Sequence, residues 1–301
     1  MNVKTVGVMS PGDMGNAVAS MIAASGRRVV VALDERSPRT RDLARAAGLE
    51  DVGSVERLVE AADVVLSVLV PSEAEASARR VASALRATGS SVVYADCNAI
   101  SPGTTKRVGQ IIESAGSSFV DASIIGPPPR KAGTTKIYIS GPRAGELEEL
   151  SDCGLVMKPM GGQIGDASGI KMCYAALTKG LTALSTELLV TSERLGVAEA
   201  LKAELEGSQQ ELMPWIDRFV NSMPSKAHRW VGEMEEIAAT FEEVGLTPRT
   251  LLGAADMYRF VAATELGKET PETRDASRPL WQTVAELARE STPPIKATAG
   301  R

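Results

Sequence analysis

The sequence predicts an α/β Rossmann-like parallel-sheet N-terminal domain followed by an all-α C-terminal domain. Three observations carry this. Short apolar runs alternate with helical patterns through the first half, as in a doubly wound α/β fold. Several of these runs are continuously apolar and rich in valine and isoleucine, which suits parallel strands buried on both faces. Beyond about residue 163 the strand signal stops and only helical periodicity continues.

The strands are expected at 4–9, 28–34, 63–70, 91–97, 118–124 and 136–141. Helical patterns lie between them at 13–25, 38–47, 54–61, 73–87, 102–115 and 143–150, with Pro38 and Pro102 where a first helical turn tolerates proline. One long helix, 166–195, opens the second half, and its many small residues, Gly169 and Gly180 among them, predict close packing against other backbone. Further helices are expected at 197–206, 207–220, 224–244, 248–265 and 278–290. The stretch 158–166, rich in glycine, reads as the boundary. The expected domains are therefore 1–162, which binds a nucleotide, and 163–290, which is helical, with an unstructured tail at 291–301. No internal repeat is found.

Composition narrows the function. A net charge of −5 over 301 residues argues against a partner with a phosphate backbone. Cys97, Cys153 and Cys173 are too scattered for a disulfide framework or a zinc site, and His228 is the single histidine. With no nucleophile-elbow sequence, a hydrolase built on His228 is improbable. No apolar run is long enough to span a bilayer, and no secretory leader precedes the first strand, so a cytoplasmic protein is expected.

The stretch "GVMSPGDMG", residues 7–15, follows the first strand and precedes the first helix. It is a dinucleotide fingerprint with one glycine replaced. Gly12 and Gly15 fill the places where backbone approaches a pyrophosphate and where helix packs on sheet, and Ser10 stands in the first place. Ser10 is also placed to cap the helix. The turn formed by Ser10, Pro11, Gly12, Asp13, Met14 and Gly15 is the expected phosphate cradle, with Asp13 pointing away from the anion. After the second strand, Asp34 or Glu35 fits a ribose hydroxyl and NAD. Arg36, Ser37, Arg39 and Arg41 fit a 2′-phosphate and NADP, which is favoured; a solvated charged loop is the plainer alternative.

Three further segments, "DCNAISP" at 96–102, "FVDASIIGPP" at 119–128 and "GGQIGDASGIK" at 161–171, complete a pattern. In order and spacing the chain resembles the β-hydroxyacid dehydrogenase and 6-phosphogluconate dehydrogenase superfamily. The stretch "HRWVGEMEEIAATFEEVGLTP" at 228–248 suggests a branch with its own C-terminal helical domain. The resemblance implies that Lys171 is the general acid/base, exchanging the hydroxyl proton as hydride moves to or from the nicotinamide. It implies that Val70 and Pro71 lie beside the nucleotide, that Asn98 and Ser123 touch nicotinamide and substrate, and that Gly126 belongs to the substrate loop. It implies a small-molecule substrate and a homodimer formed through the helical domain.

Several positions depart from the family pattern. The substrate loop reads Ile125, Gly126, Pro127 where Ser-Gly-Gly is usual, with Arg130 and Lys131 as replacement charges or solvated residues. Ala175 stands where asparagine is usual, leaving Tyr174 or Thr178 to substitute. Glu235 and Glu236 stand in place of a Lys-Asp pair, either at the substrate or as solvated carboxylates. Lys179 flanks the site or is solvated. The expected activity is interconversion of a hydroxyacid-like alcohol and its carbonyl. The alternatives are an imine or ketone reductase without a carboxylate requirement, and a non-catalytic NADP(H)-binding sensor.

Overall fold

The computed structural model describes residues 3–34, 36–270 and 272–290. The tail expected at 291–301, and Glu35, lie outside them. The chain divides into two compact units, Met1–Cys173 and Tyr174–Arg301.

The first unit runs β1 (Thr5–Val8), α1 (Asp13–Ala24), β2 (Arg28–Val31), α2 (Pro38–Ala46), β3 (Glu50–Asp51), α3 (Val55–Ala61), β4 (Val64–Ser67), α4 (Ala74–Thr88), β5 (Val93–Asp96), α5 (Pro102–Glu113), β6 (Ser118–Ile125), β7 (Lys136–Ser140) and β8 (Val156–Gly161). The sheet order is β3-β2-β1-β4-β5-β6-β7-β8. Alternate residues of the strands enter two apolar layers. Val6, Val8, Val31, Leu66 and Val120 pack with Val18 and Ile22 of α1 on one face. Val30, Val65, Tyr94 and Phe119 pack with Leu58, Val81, Leu85 and Ile112 of the helices on the other. This double burial is why the strands read as unbroken apolar runs. The helix starts follow local chemistry. Ser37 and Ser101 each accept a hydrogen bond from the backbone N–H three residues on, and a proline occupies the first helical position after each.

Three features differ from the expectation. The sheet is not wholly parallel, because β6 and β7 pair antiparallel, Asp121 opposite Ser140 and Ile125 opposite Lys136. They are joined by residues 126–135 without a helix, and a parallel pairing needs a longer crossover. The segment expected as a helix at 143–150 is a 3₁₀ helix, Ala144–Cys153. Two edge strands were not foreseen: β3 and β8. β8 carries Lys158 and Pro159, is largely exposed, and pairs with β7 through a register shift at Ile139/Ser140. Such marks of a protected edge hide a strand from apolar patterning. β8 also occupies part of the stretch taken as the domain boundary.

α6 (Asp166–Arg194) runs from the first unit into the second. The second unit continues with α7 (Ala198–Ser208), α8 (Met213–Ser222), a 3₁₀ turn Pro224–Lys226, α9 (Ala227–Glu243), α10 (Arg249–Ala262), a 3₁₀ turn Leu266–Lys268 and α11 (Leu280–Arg289). Leu189, Ile216, Val220, Leu280 and Val284 form one of its apolar clusters. Among the described residues, Gly169 and Gly180 of α6 do not make the close backbone packing expected of them. A Cβ at Gly180 would meet nothing within 4 Å, and one at Gly169 would only graze Pro102 at 4.0 Å. Among the described residues, no helix is long and apolar enough to cross a membrane, and no group of three or more His, Cys, Asp or Glu is placed to hold a metal ion.

Candidate active site

The strand order reverses between β1 and β4, so the crevice beyond their carboxyl ends is where an open α/β sheet binds ligands. The 7–15 turn lies there. Gly15 is required by close approach: a Cβ would sit 2.1 Å from the Ser10 carbonyl oxygen. Gly12 is the opposite case, with ordinary torsions (φ −72°, ψ −164°) and nothing within 4 Å of an added Cβ. Gly12, not Ser10, is the N-cap of α1, and no side chain caps the helix. This corrects the capping role read for Ser10. The first intrahelical bond is Asn16 N to Gly12 O, 2.7 Å, so earlier N–H groups of the turn need another acceptor. An uncapped helix N-terminus with open space before Gly12 fits a dinucleotide pyrophosphate.

Asp13 turns away from this end and pairs with Arg39 of α2 at 2.6 Å. Beyond β2, Asp34 is exposed and Arg36 half-buried. The Arg36 carbonyl accepts from Arg41 Nε at 3.0 Å. Ser37 caps α2 through Thr40 N at 3.2 Å.

Beyond β5, one buried network ties the carboxyl ends of β4 and β5 together. Asn98, 3% exposed, accepts at Oδ1 from Leu69 N, and its amide donates to Ser67 Oγ at 3.1 Å and Asp96 Oδ2 at 2.9 Å. Asp96 Oδ1 accepts from Asn98 N at 2.9 Å. The Asn98 side chain, expected at nicotinamide and substrate, thus clamps the loop that leads to Val70 and Pro71. Val70 is exposed and precedes a 3₁₀ turn, Pro71–Glu73. Burial pushes the Asp96 carboxyl up to about 7, and the Asp121 charge adds to the rise. Hydrogen bonds from Asn98 and the charge of Lys171 oppose it.

Lys171 comes to the same loop. Its Nζ donates to the carbonyls of Asn98 at 3.1 Å and Cys97 at 3.3 Å. What places it is the anchoring of the α6 N-terminus. Asp121 Oδ2 accepts from Gly165 N and Ser168 N at 2.9 and 3.0 Å, and Oδ1 accepts from Ser168 Oγ at 2.7 Å. Ser140, paired with Asp121 across β6 and β7, donates to its Oδ2 and accepts from Ala167 N, both at 3.0 Å. A carboxylate at this end complements the helix dipole. Burial still raises the Asp121 carboxyl, against the donors from Ser168, Gly165 and Ser140 that favour its charged form. Ser168 Oγ also meets Thr105 Oγ1 of α5 at 2.7 Å.

On the substrate side, Ser123 is fully buried in β6 with no hydrogen-bond partner for its hydroxyl. Ile125 ends β6, and Gly126 follows at φ +132°, a torsion that favours glycine, with Thr134 O 3.2 Å from an added Cβ. Thr135 Oγ1 donates to Pro127 O at 2.6 Å and closes the loop, which leaves Arg130 and Lys131 exposed. Tyr174, Thr178 and Glu235 belong to the second unit. Tyr174 is exposed, Ala175 is buried, and the Thr178 hydroxyl donates back to the Tyr174 and Ala175 carbonyls. Glu235 pairs with Arg259 of α10. Sequence reasoning misses Asp96, Asp121 and Ser168 as site residues. For the two aspartates the legible signal is a carboxylate closing or interrupting an otherwise apolar strand, a burial that needs donors. Ser168, one small residue among many in α6, carries no such signal.

Comparison with known proteins identifies the family and the fold. Residues 5–169 match the NAD binding domain of 6-phosphogluconate dehydrogenase, and residues 193–261 match a domain of unknown function. An uncharacterised 28.5 kDa protein of Methanothermus fervidus is 28% identical over 209 residues, 69% of this chain and 76% of its own. The mitochondrial 3-hydroxyisobutyrate dehydrogenase of Drosophila melanogaster is 25% identical over 198 residues, 66% of this chain and 57% of its own. A solved protein of unknown function, described as structurally similar to 3-hydroxyacid dehydrogenases, is 31% identical with a TM-score of 0.63 over 88% of this chain and 100% of its own. A Mycobacterium tuberculosis 3-hydroxyisobutyrate dehydrogenase solved with L-serine shares the fold at 18% identity, with a TM-score of 0.67 over 95% of this chain and 99% of its own. With more than half its length carrying the first of these matches, the chain belongs to the 6-phosphogluconate dehydrogenase-like NAD-binding family, within the β-hydroxyacid dehydrogenase superfamily.

Proposed function

We propose that the protein is an NAD(P)-dependent oxidoreductase that interconverts a hydroxyacid-like alcohol and its carbonyl, with Lys171 moving the hydroxyl proton. The observation that carries the reading is the position of Lys171 Nζ, hydrogen-bonded to two main-chain carbonyls just beyond β5. Its position beyond the carboxyl end of β5, on the side where the strand order predicts the ligand crevice, supports a proton-carrying role. A bound nicotinamide would supply the hydride acceptor, or the donor in the reverse direction. The residues from Ser10 to Gly15 hold the pyrophosphate. Asn98 and Asp96 fix the loop whose carbonyls orient Lys171. In the oxidising direction neutral Lys171 accepts the hydroxyl proton at Nζ, and in reduction the ammonium returns it. Ser123, Ile125, Gly126, Tyr174, Thr178 and Glu235 are the candidates for substrate contact.

NADP is the preferred cofactor in this proposal, held through Arg36, Ser37 and Arg39 beyond β2, whereas a ribose contact from Asp34 would favour NAD. Residues 163–290 form the substrate-selecting and dimerising part, and the protein works as a homodimer. The stiff loop from Gly126 to Pro129, lacking the usual Ser-Gly-Gly, favours an imine or ketone reductase as the second reading.

The test is a screen of hydroxyacids, polyols and amino alcohols for NADPH or NADH formation, with imines and ketones in the reducing direction. Lys171→Ala is expected to keep nucleotide affinity and lose turnover by at least about a hundredfold. Nucleotide binding in the wild type with no turnover of any class would sink the enzyme reading in favour of a sensor.

A further inference from the structure

The second unit gathers positive charge around Trp230 of α9. Lys179 Nζ lies 5.4 Å from the Trp230 ring centroid, and Lys226 Nζ lies 6.0 Å from it. Tyr258 packs edge-on against the same ring at 5.3 Å and donates its hydroxyl to the Lys179 carbonyl at 2.5 Å, which fixes both partners. Arg229, next to Trp230, and Arg274 add their charges to the surroundings of Lys226. Glu233 answers this group, paired with Lys179 at 2.7 Å, with both side chains largely buried. Asp275 beside Arg274 is exposed and turned to Ser277.

Lys226 is the anomaly. It is half-buried, and among the described residues no carboxylate forms an ion pair with it. Burial and then the charges of Arg274, Arg229 and Lys179 hold its ammonium below the usual lysine range. Independent signs point the same way. Lys226 is the N-cap of α9, which has no side-chain cap and no acidic residue in its first turn. Basic residues at that end oppose the helix dipole. The preceding residue, Ser225, has a buried hydroxyl without a partner. A chain of net charge −5 does not concentrate unmatched cations at a half-buried helix start for stability, since desolvation and like-charge repulsion both act against it. An anion seated there relieves the charge crowding and the uncapped helix start together.

We propose that Lys226, Arg229, Arg274 and the start of α9, with Lys179 and Trp230 as the wall, form a binding site for an oxyanion, a carboxylate or phosphate group of a small molecule. The site rests on the second unit alone, so its test does not depend on the dehydrogenase reading.

The test titrates wild-type protein with sodium phosphate and with sodium malonate, each against sodium chloride at equal ionic strength, in the absence of nucleotide. Thermal midpoint and tryptophan fluorescence are read together, because an anion bound to the folded state raises Tm by mass action. A saturable rise with phosphate, malonate or both supports the site, and a response to one alone tells a phosphorylated ligand from a carboxylic acid. Lys226→Met and Arg229→Met are each expected to weaken that response at least tenfold. In chloride, Lys226→Met is expected to melt no lower than the wild type, because a strained charge has been removed. Lys202→Met, whose ammonium lies over Trp281 instead, serves as the control and should keep the full response. No anion-specific rise over chloride in the wild type, or an undiminished rise in both cluster variants, overturns the proposal.

Discussion

At the scale of single residues, two glycines three positions apart do different work. Gly15 has no room for a Cβ, whereas Gly12 has nothing near one. Gly15→Ala is expected to destabilise the fold by roughly 1–3 kcal/mol, the usual range for overpacking, read as a lower denaturation midpoint. Gly12→Ala should melt like the wild type yet bind NADP at least tenfold more weakly, because its methyl group would fill the space where a pyrophosphate approaches. Normal nucleotide affinity in Gly12→Ala would falsify the proposed cradle. Asp96 gives a pH prediction. Its folded carboxyl titrates at about 7, above its ordinary 3.8. For a raised pKa the stability is fully present below 3.8 and is lost as pH rises through about 7. The difference in Tm between wild type and Asp96→Asn should therefore move against the wild type between pH 5 and 8 and level off above that. A difference independent of pH would show that Asp96 titrates in its ordinary range.

At the scale of elements, the start of α6 is the decisive joint. Its backbone N–H groups at Gly165, Ala167 and Ser168 are taken up by Asp121 and Ser140 of the antiparallel pair β6 and β7. The one departure from a parallel sheet thus supplies the anchor for the helix that carries Lys171. Asp121→Ala strands several buried donors at once and should cost about 3 kcal/mol or more. Asp121→Asn is milder and more informative. It should lower Lys171-dependent turnover while leaving NADP affinity within about twofold, since the α1 turn is not touched. Equal losses in affinity and turnover would point to general damage instead. Both anchor residues stand in stretches with strand patterning, "FVDASI" and "KIYISG", but their hydrogen bonds to α6 are not legible in the sequence, because cross-strand pairing and helix entry are set by chain folding.

At the scale of the whole molecule, the exposed side chains of α6 bear on the proposed homodimer. Tyr174, Leu177 and Leu184 are more than half exposed, and an added Cβ at Gly180 meets nothing. An apolar stripe with a glycine at its centre is a surface that a second copy would cover. Light scattering at micromolar concentration should give the dimer mass, and Leu177→Glu with Leu184→Glu should halve it. A wild-type monomer under those conditions ends the proposal. The same stripe explains a partial reading from sequence. Dense small residues in α6 predict close packing, but among the described residues nothing packs against Gly180.

What the sequence alone determined is the part governed by local periodicity and burial. The α/β alternation, the all-helical second half, the 7–15 turn and the place of Lys171 at the head of a long helix all follow from patterns within a few residues of each other. The edge strands, the antiparallel turn between β6 and β7, the clamp of Asn98 on Ser67, Leu69 and Asp96, and the cationic cluster at Trp230 were decided only by tertiary structure. Each brings together groups from separate segments, and an edge strand or a buried charge is defined by what surrounds it rather than by its neighbours in the chain.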